Sequence, residues 1–394
     1  MDKLKELLYS NLPTMTKEQY QKYAQEAENG YITIKPHPED ENIVILNYTD
    51  QTTYEKRWNH ETMTARGLIL DITDENDIKI LATPFPKFFN YGENPEYEKD
   101  INFKEQPIVM EKMDGSLGIS YFFNGEIRFA TRGSFTSEQA IKATEIWKRK
   151  YAHKFLIHEG DSFFYNPYTL LVEIIYPENR IVVDYKGLED LVLIGAITHT
   201  KNNFIDWEYK ALVDYAKTFS MSVAKQYKLT LDKMLEMKKS LSANEEGWVL
   251  RFSNGKRLKI KGDEYLQVHR IMHGLSDKAK FEAWAEGKLD ELIMMLPEEF
   301  RNELEDFGNT LDFAVSLKKQ ILQGKFENIK NTTETRKDFA LKVNEEIPQE
   351  YRHIMFKAYN TGEIDENLIK QYIYKNYQDY LDVVNLKSNV NNNE

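Results

Sequence analysis

Apolar and polar positions follow two rhythms along this chain. From about residue 31 to residue 262 apolar side chains alternate with polar ones or gather in short runs, the period of strands. From residue 263 onward they recur every three to four positions, the period of helices. Ahead of both, residues 1–29 read as two helices. Leu4, Leu7 and Leu8 form one apolar stripe, and Thr16 is placed to cap a second helix that runs through Ala27 and stops at Gly30.

The strand-rich part opens with a hairpin, Tyr31 to Lys35 and Asn42 to Tyr48, around His37-Pro38-Glu39-Asp40. Ala65 to Ile72 reads as a buried strand with Arg66 at its start, partnered by Ile78 to Ala82. A proline-stiffened loop, Pro84 to Asn90, then presents Lys87, Phe88 and Phe89. Adjacent aromatics on extended chain point to opposite faces, so one is free for the core and the other for a ligand. Leu117 to Phe123 and Glu126 to Ala130 form a hairpin about Asn124-Gly125. Thr136 to Gln139 reads as a capping box opening a helix to about Tyr151. Further strands are expected over Leu170 to Ile175, Arg180 to Tyr185 and Leu191 to Ile197. Residues 205–241 read as helices with Thr230 as an N-cap. A last hairpin, Gly247 to Phe252 and Leu258 to Ile260, turns at Asn254-Gly255.

Helices are expected over Asp263 to His273, Ser276 to Gly287, Pro297 to Leu322, Thr333 to Glu346, Pro348 to Tyr359 and Asp365 to Val384. The polar, asparagine-rich residues 387–394 carry no core-forming pattern and are expected to be disordered. The division is therefore a strand-rich domain over 1–262, an all-helical domain over 263–386 and a tail over 387–394. Tyr372, Tyr374, Tyr377 and Tyr380 suit the helical core, a plain surface or stacking on a flat ligand.

Composition narrows the class. The 394 residues include no cysteine, so disulfides, thiolate metal sites and cysteine nucleophiles are excluded. No apolar run reaches the length of a membrane span, and the first residues lack the apolar core of a signal peptide. A cytoplasmic monomer without membrane contact is the expectation. A net charge of −12 argues against a surface coated in phosphate-binding cations but leaves room for one basic groove. His269 and His273 have the spacing of two ligands on one helix face. Arg270 stands where a zinc protease carries glutamate, and no third ligand is evident, so the pair reads as structural.

The candidate chemistry centres on Glu111-Lys112-Met113-Asp114-Gly115-Ser116. Turn-forming residues place Lys112 at a bend between two apolar, strand-prone runs, and Gly115 lets a ligand come close. A lysine so fixed is a candidate covalent nucleophile. Glu173 interrupts the strand Leu170 to Ile175, and a carboxylate there must meet water, a cation or a ligand. Lys259 and Lys261 share one face of their strand, which suits either an anion such as phosphate or a solvated surface.

The ordered set is Arg66-Gly67, Lys87-Phe88-Phe89-Asn90, Lys112-Met-Asp-Gly, Arg132-Gly-Ser, Glu173 before Pro177-Glu-Asn-Arg-Ile-Val, Glu246-Gly and Lys259-Ile-Lys261. It resembles the ATP-dependent RNA ligase 1 family of tailed bacteriophages, within the covalent nucleotidyltransferase superfamily. The likeness covers roughly residues 40 to 270. It implies an α+β fold, with an antiparallel-sheet nucleotidyltransferase domain (ATP-grasp-like) followed by an all-α domain linked to substrate choice. It implies that Lys112 attacks the α-phosphate of ATP to form lysyl-AMP, that AMP passes to an RNA 5′-phosphate, and that an RNA 3′-hydroxyl displaces it. Tyr48, Arg66, Lys87, Phe89, Arg132, Glu173, Lys259 and Lys261 match nucleotide-contacting positions. Of these, Phe89 stands near the adenine. Glu173 matches a carboxylate that serves the ribose or the metal's waters, and Glu246 one tied to the metal, Mg2+ or Mn2+, through water. The partner implied is single-stranded or nicked-loop RNA, tRNA included, in a repair role. A lysine attacks only when neutral, and Lys259, Lys261 and a bound metal would lower its ordinary value of about 10.4. Two other readings share these residues: a DNA ligase or capping-type nucleotidyltransferase, and a nucleotide- or RNA-binding module without chemistry.

Overall fold

The computed structural model describes residues 2–155, 167–201, 203–271, 275–294, 296, 298–381 and 384. The expectation for residues 387–394, and His273 of the histidine pair, lie outside the described residues. The chain divides into two compact units, Met1–Leu266 and Gln267–Glu394.

The first unit is mixed α/β with three largely antiparallel sheets. Its first five strands are β1 (Thr14–Met15), β2 (Ile32–His37), β3 (Asp40–Tyr48), β4 (Arg66–Asp71) and β5 (Ile78–Ala82). They form one sheet in the order β1-β5-β4-β3-β2. The strands that follow are β6 (Phe89–Asn90), β7 (Ile108–Glu111), β8 (Ser116–Phe123), β9 (Glu126–Ala130), β10 (Tyr168–Ile175), β11 (Asp190–Thr200) and β12 (Asn203–Asp206). The last are β13 (Ser222–Val223), β14 (Gln226–Tyr227), β15 (Gly247–Arg251) and β16 (Arg257–Lys261). They divide between a second sheet, β12-β11-β10-β8-β9 with β13 beside β11, and a third, β14-β7-β15-β16-β6.

The near-continuous apolar runs of β3 and β4 follow from burial on both faces. Val44, Leu46, Leu68 and Leu70 pack with Tyr23 of the helix Lys17–Glu28. Ile43, Ile45 and Ile69 pack against Ile119, Tyr121 and Leu171 of the second sheet. That sheet's other face meets Trp147, Ile146 and Leu212 from the helices Glu138–Lys150 and Tyr209–Phe219. The third sheet has its own core of Val109, Trp248, Leu250, Leu258 and Ile260.

Thr16 does cap its helix, with a reciprocal bond from Gln19. Three local expectations give way to longer-range bonding. Ser137, not Thr136, caps the helix Glu138–Lys150, because the Thr136 N–H is held by Ser134 Oγ at 3.1 Å. Arg180 to Tyr185 is not a strand. The N–H groups of Val182 and Val183 donate to Asp114 Oδ2 at 2.9 and 2.8 Å, which removes them from any ladder. Within 205–241, β13 and β14 separate the helices Tyr209–Phe219 and Leu231–Met237, and Thr230 caps the latter.

Every named element of the second unit among the described residues is helical. Its main helix, Glu298–Asn331, runs past the Leu322 end expected from periodicity, and a short helix, Leu289–Met294, precedes it. Tyr372 packs on Tyr351 with ring centroids 4.9 Å apart, and Tyr377 on Phe281 at 5.7 Å, so both rings serve the unit's interior.

Gly247 opens β15 at φ +134, and a methyl there would stand 2.0 Å from the Ile260 carbonyl oxygen. Both the backbone conformation and the close approach require glycine. Gly247→Ala is expected to cost about 3 kcal/mol or more. Urea unfolding followed by tryptophan fluorescence checks this, since Trp248 is the adjoining core residue.

Candidate active site

Lys112 lies in the short link that leaves β7 of the third sheet and enters β8 of the second. Its own N–H donates to the Gly247 carbonyl at 2.9 Å, which ties the link to the start of β15. Asp114 fixes the other side. Besides the two N–H groups of 182–183, it accepts the Tyr265 hydroxyl at Oδ1, 2.7 Å, and its N–H donates to the Tyr185 hydroxyl at 2.7 Å. Asp114 is buried and holds the bend through these four bonds, which explains an aspartate two residues after the lysine. Gly115 lacks a Cβ because one would meet Ile174 O at 2.8 Å and Ile175 Cδ1 at 2.7 Å.

The hairpin β15–β16 supplies the opposing charges. Gly247 and Lys261 are register partners, so Glu246, one residue earlier, comes beside Lys261. Glu246 Oε1 lies 2.8 Å from Lys261 Nζ and its Oε2 lies 2.6 Å from Lys112 Nζ. One carboxylate thus bridges both lysines, and only 2% of its side chain is exposed. Burial alone would push the Lys112 amine down. The charges of Glu246 and Glu173 and the hydrogen bond to Glu246 outweigh it, and Lys112 is held above its ordinary value. This corrects the expected lowering. The neighbouring cations act on Lys259 instead, which burial and then Lys87, Lys112 and Lys261 push down to about 7.

A cavity of about 670 Å³ opens over this group. All three sheets line it: Arg66 from the first, Leu117, Glu173 and Ile194 from the second, Met110, Val249, Lys259 and Lys261 from the third, with Lys112 between. Glu173 faces Leu117 across β10–β8. Burial, then the charges of Glu246 and Asp114, raise its carboxyl to about 7 despite Lys112 and Arg66. Arg66 donates to the Phe85 carbonyl at 3.2 Å and lies over the Phe88 ring at 5.4 Å. Arg132 lines the cavity and donates to the Tyr48 hydroxyl at 2.9 Å.

The two adjacent phenylalanines do point to opposite faces, but the reverse of the expected way. Phe88 lines the cavity. Phe89 is 2% exposed, with Trp58 and Tyr97 edge-on at 5.5 and 5.0 Å. Full burial of such a ring is worth about 2 kcal/mol and leaves it no face for a base. Tyr48 and Lys87 are not among the cavity-lining residues; Lys87 Nζ sits within 5.1 to 5.6 Å of the rings of Trp58, Phe89 and Tyr48. Sequence reading missed Asn47, the paired Arg251 and Arg257 on Asp206, and Trp207, all of which line the cavity. Only the strand-end position of Arg257, beside the two lysines of β16, hinted at one of them.

The charge balance is uneven. Arg66, Lys87, Arg132 and Lys259 have no carboxylate within ion-pair distance among the described residues, in a chain with net charge −12. The same residues offer a metal little. Glu246 has both oxygens on lysines, and no group of three His, Cys, Asp or Glu side chains is placed to hold a metal among the described residues. Glu173 and Glu111 line the cavity and make no ion pair among the described residues. So few carboxylates fit a hard divalent ion that takes its remaining ligands from water and nucleotide phosphates, and do not fit a site made by protein alone.

Comparison with known proteins now decides the family. The family model described as RNA ligase matches residues 64–266, more than half of the chain and the whole of the cavity-bearing sheets from β4 to β16. The chain belongs to the RNA ligase family. It is 24% identical over 349 residues to the RNA ligase of Rhodothermus phage RM378, an alignment covering 71% of this chain and 78% of that one. It is 26% identical over 284 residues to a protein of Autographa californica nuclear polyhedrosis virus described as a bifunctional polynucleotide kinase/RNA ligase. That alignment covers 68% of this chain and 39% of the viral one. RNA ligase 1 of bacteriophage TS2126 is 34% identical over 131 residues, 31% of this chain and 32% of its own. The chain therefore spans well under two thirds of the viral relative's length.

An anion that enters this cavity restores charge to Lys259. Binding of inorganic pyrophosphate at pH 8 is expected to take up protons, because Lys259 starts near 7 and rises beside phosphate. Calorimetry in two buffers of different ionisation enthalpy measures the uptake, which falls in Lys259→Met.

Proposed function

We propose that this chain is an ATP-dependent RNA ligase that joins an RNA 5′-phosphate to a 3′-hydroxyl. Membership in the RNA ligase family supports the reaction class. The observation that carries the ligand is the cluster of cations without carboxylate partners around Lys112. Positive charge gathered at one partly buried cavity is best balanced by an anion, and a polyphosphate brings several charges to one place.

In this reading Arg66, Arg132 and Lys259 seat the phosphates of ATP, and Lys87 with Tyr48 acts from beside the cavity. Phe88 rather than Phe89 supplies the aromatic wall. Lys112 Nζ forms a bond to the α-phosphorus as the bond to the pyrophosphate oxygen breaks, and pyrophosphate leaves with the electron pair. The amine must first give up a proton. Glu246 Oε2, 2.6 Å away, is the group placed to receive it, while Lys261 on the other oxygen keeps that carboxylate in position. AMP then passes to the RNA 5′-phosphate, and the 3′-hydroxyl of a second end displaces it. A divalent cation, magnesium or manganese, would be held by Glu173 and the nucleotide's phosphates and would neutralise charge on the phosphate oxygens.

We assign residues 1–262, with Tyr265 behind the lysine-bearing bend, to this chemistry and residues 263–386 to the choice of RNA. Single-stranded or nicked-loop RNA, including tRNA under repair, is the substrate class, and the working protein is a cytoplasmic monomer.

Label from α-labelled ATP is expected to stay on the denatured chain after incubation with magnesium. Lys112→Ala abolishes it, and Glu246→Gln slows it at least about tenfold through loss of the proton acceptor. Absence of label on the unaltered chain, with pyrophosphate treatment releasing no bound AMP, would sink the ligase reading in favour of a binding module.

A further inference from the structure

Two buried side-chain polar atoms lack a hydrogen-bond partner among the described residues: His199 Nδ1 and Asn47 Oδ1. His199 lies in the core, where burial holds it neutral, and its other ring nitrogen meets Thr169 at 2.9 Å. Nothing there opens to a ligand. Asn47 is different, because it lines the cavity.

The position of Asn47 is built. It stands on β3 directly opposite Arg66 on β4, where Gly67 is the extra residue of a bulge, and it shares the face of Ile43 and Ile45 that is turned toward the second sheet. Its amide lies against Gly133, where any Cβ would come within 3.1 Å of Asn47 Nδ2. The nitrogen side is thus backed by the turn that carries Arg132, and the oxygen is left without a donor. Both neighbouring arginines spend a donor elsewhere, Arg66 on the Phe85 carbonyl and Arg132 on the Tyr48 hydroxyl. A buried acceptor without a donor costs about 1–3 kcal/mol. A ligand that brings a donor recovers that energy, and one that lacks it leaves the cost standing.

The donor can be named by elimination. Phosphate oxygens are acceptors and belong to the cations. A base amine can also donate, but the base would rest against the apolar lining, Met110, Ile194 and Val249, which comes from the other two sheets rather than from the sheet that carries Asn47. What remains on a nucleotide is the sugar. We propose that Asn47 Oδ1 accepts a hydrogen bond from a ribose hydroxyl of the substrate, and that this contact is a ribose-recognition element of the cavity. The proposal rests on the ligase reading. Two sources carry the same group: the ribose of ATP and the sugar at an RNA end. A 2′-hydroxyl is the group by which a protein tells RNA from DNA.

The test compares the unaltered chain with Asn47→Leu, which keeps the volume and removes the acceptor. One arm measures self-labelling with ATP, 2′-deoxy-ATP and 3′-deoxy-ATP. The other measures joining of a pre-adenylylated RNA donor to acceptors that end in a ribose or a 2′-deoxyribose. In one of the arms the unaltered chain is expected to favour the hydroxyl-bearing substrate about tenfold or more. Asn47→Leu loses that preference by slowing the hydroxyl-bearing substrate alone. The arm that responds identifies the source. The proposal is overturned if the unaltered chain shows no preference in either arm, a result that needs no variant. It is also overturned if Asn47→Leu slows hydroxyl and deoxy substrates equally. Failure of the ligase reading looks different: no labelling and no joining with any substrate.

Discussion

A single carboxylate between two lysines sets the state of this site. Removing either lysine leaves Glu246 buried with an unbalanced charge, and removing Glu246 leaves two ammonium groups facing each other in a poorly solvated space. The charge and hydrogen bond of Glu246 hold the Lys112 amine above its ordinary value. In the proposed reaction the same carboxylate that restrains the amine would take its proton, and incoming phosphates would compete with Glu246 for both lysines.

The three-sheet arrangement follows from the same need. Cations from distant parts of the chain must converge with few carboxylates between them, and each would be costly on its own. Sheets achieve this by fixing register: Glu246 sits beside Lys261 because Gly247 pairs with it, and Glu173 sits at the cavity because β10 pairs with β8. Asp114 completes the frame by gathering hydrogen bonds from the 182–183 segment and from Tyr265, neither of them near it in sequence.

Much of this was legible in the sequence. Alternation placed β2 to β5, β8 to β11 and the β15–β16 hairpin, and the bend at Asp114-Gly115 located Lys112. What failed failed for physical reasons. Alternation said that Phe88 and Phe89 oppose each other but not which side was core, since that depends on Trp58 and Tyr97. Arg180 to Tyr185 has a strand's composition, yet its amides are claimed by a carboxylate almost seventy residues upstream. The charge state of Lys112 was read from its cationic neighbours, while the dominant partner was the carboxylate whose distance only the register reveals. Asn47 gave no signal at all: an asparagine at a strand end is unremarkable until Gly133 is packed against it.

Tyr265 has a consequence for how the protein is handled. Its hydroxyl steadies the lysine-bearing bend, yet it lies past the last strand, on the helix Asp263–His269 that leads out of the sheet-rich unit. A shortened chain cut where the strands end, at Lys261 or Gly262, would keep every cavity-lining residue and still lose a buried partner of Asp114. The functional end of the sheet-rich unit therefore lies beyond its last strand, and a minimal version of the protein has to be measured from Tyr265.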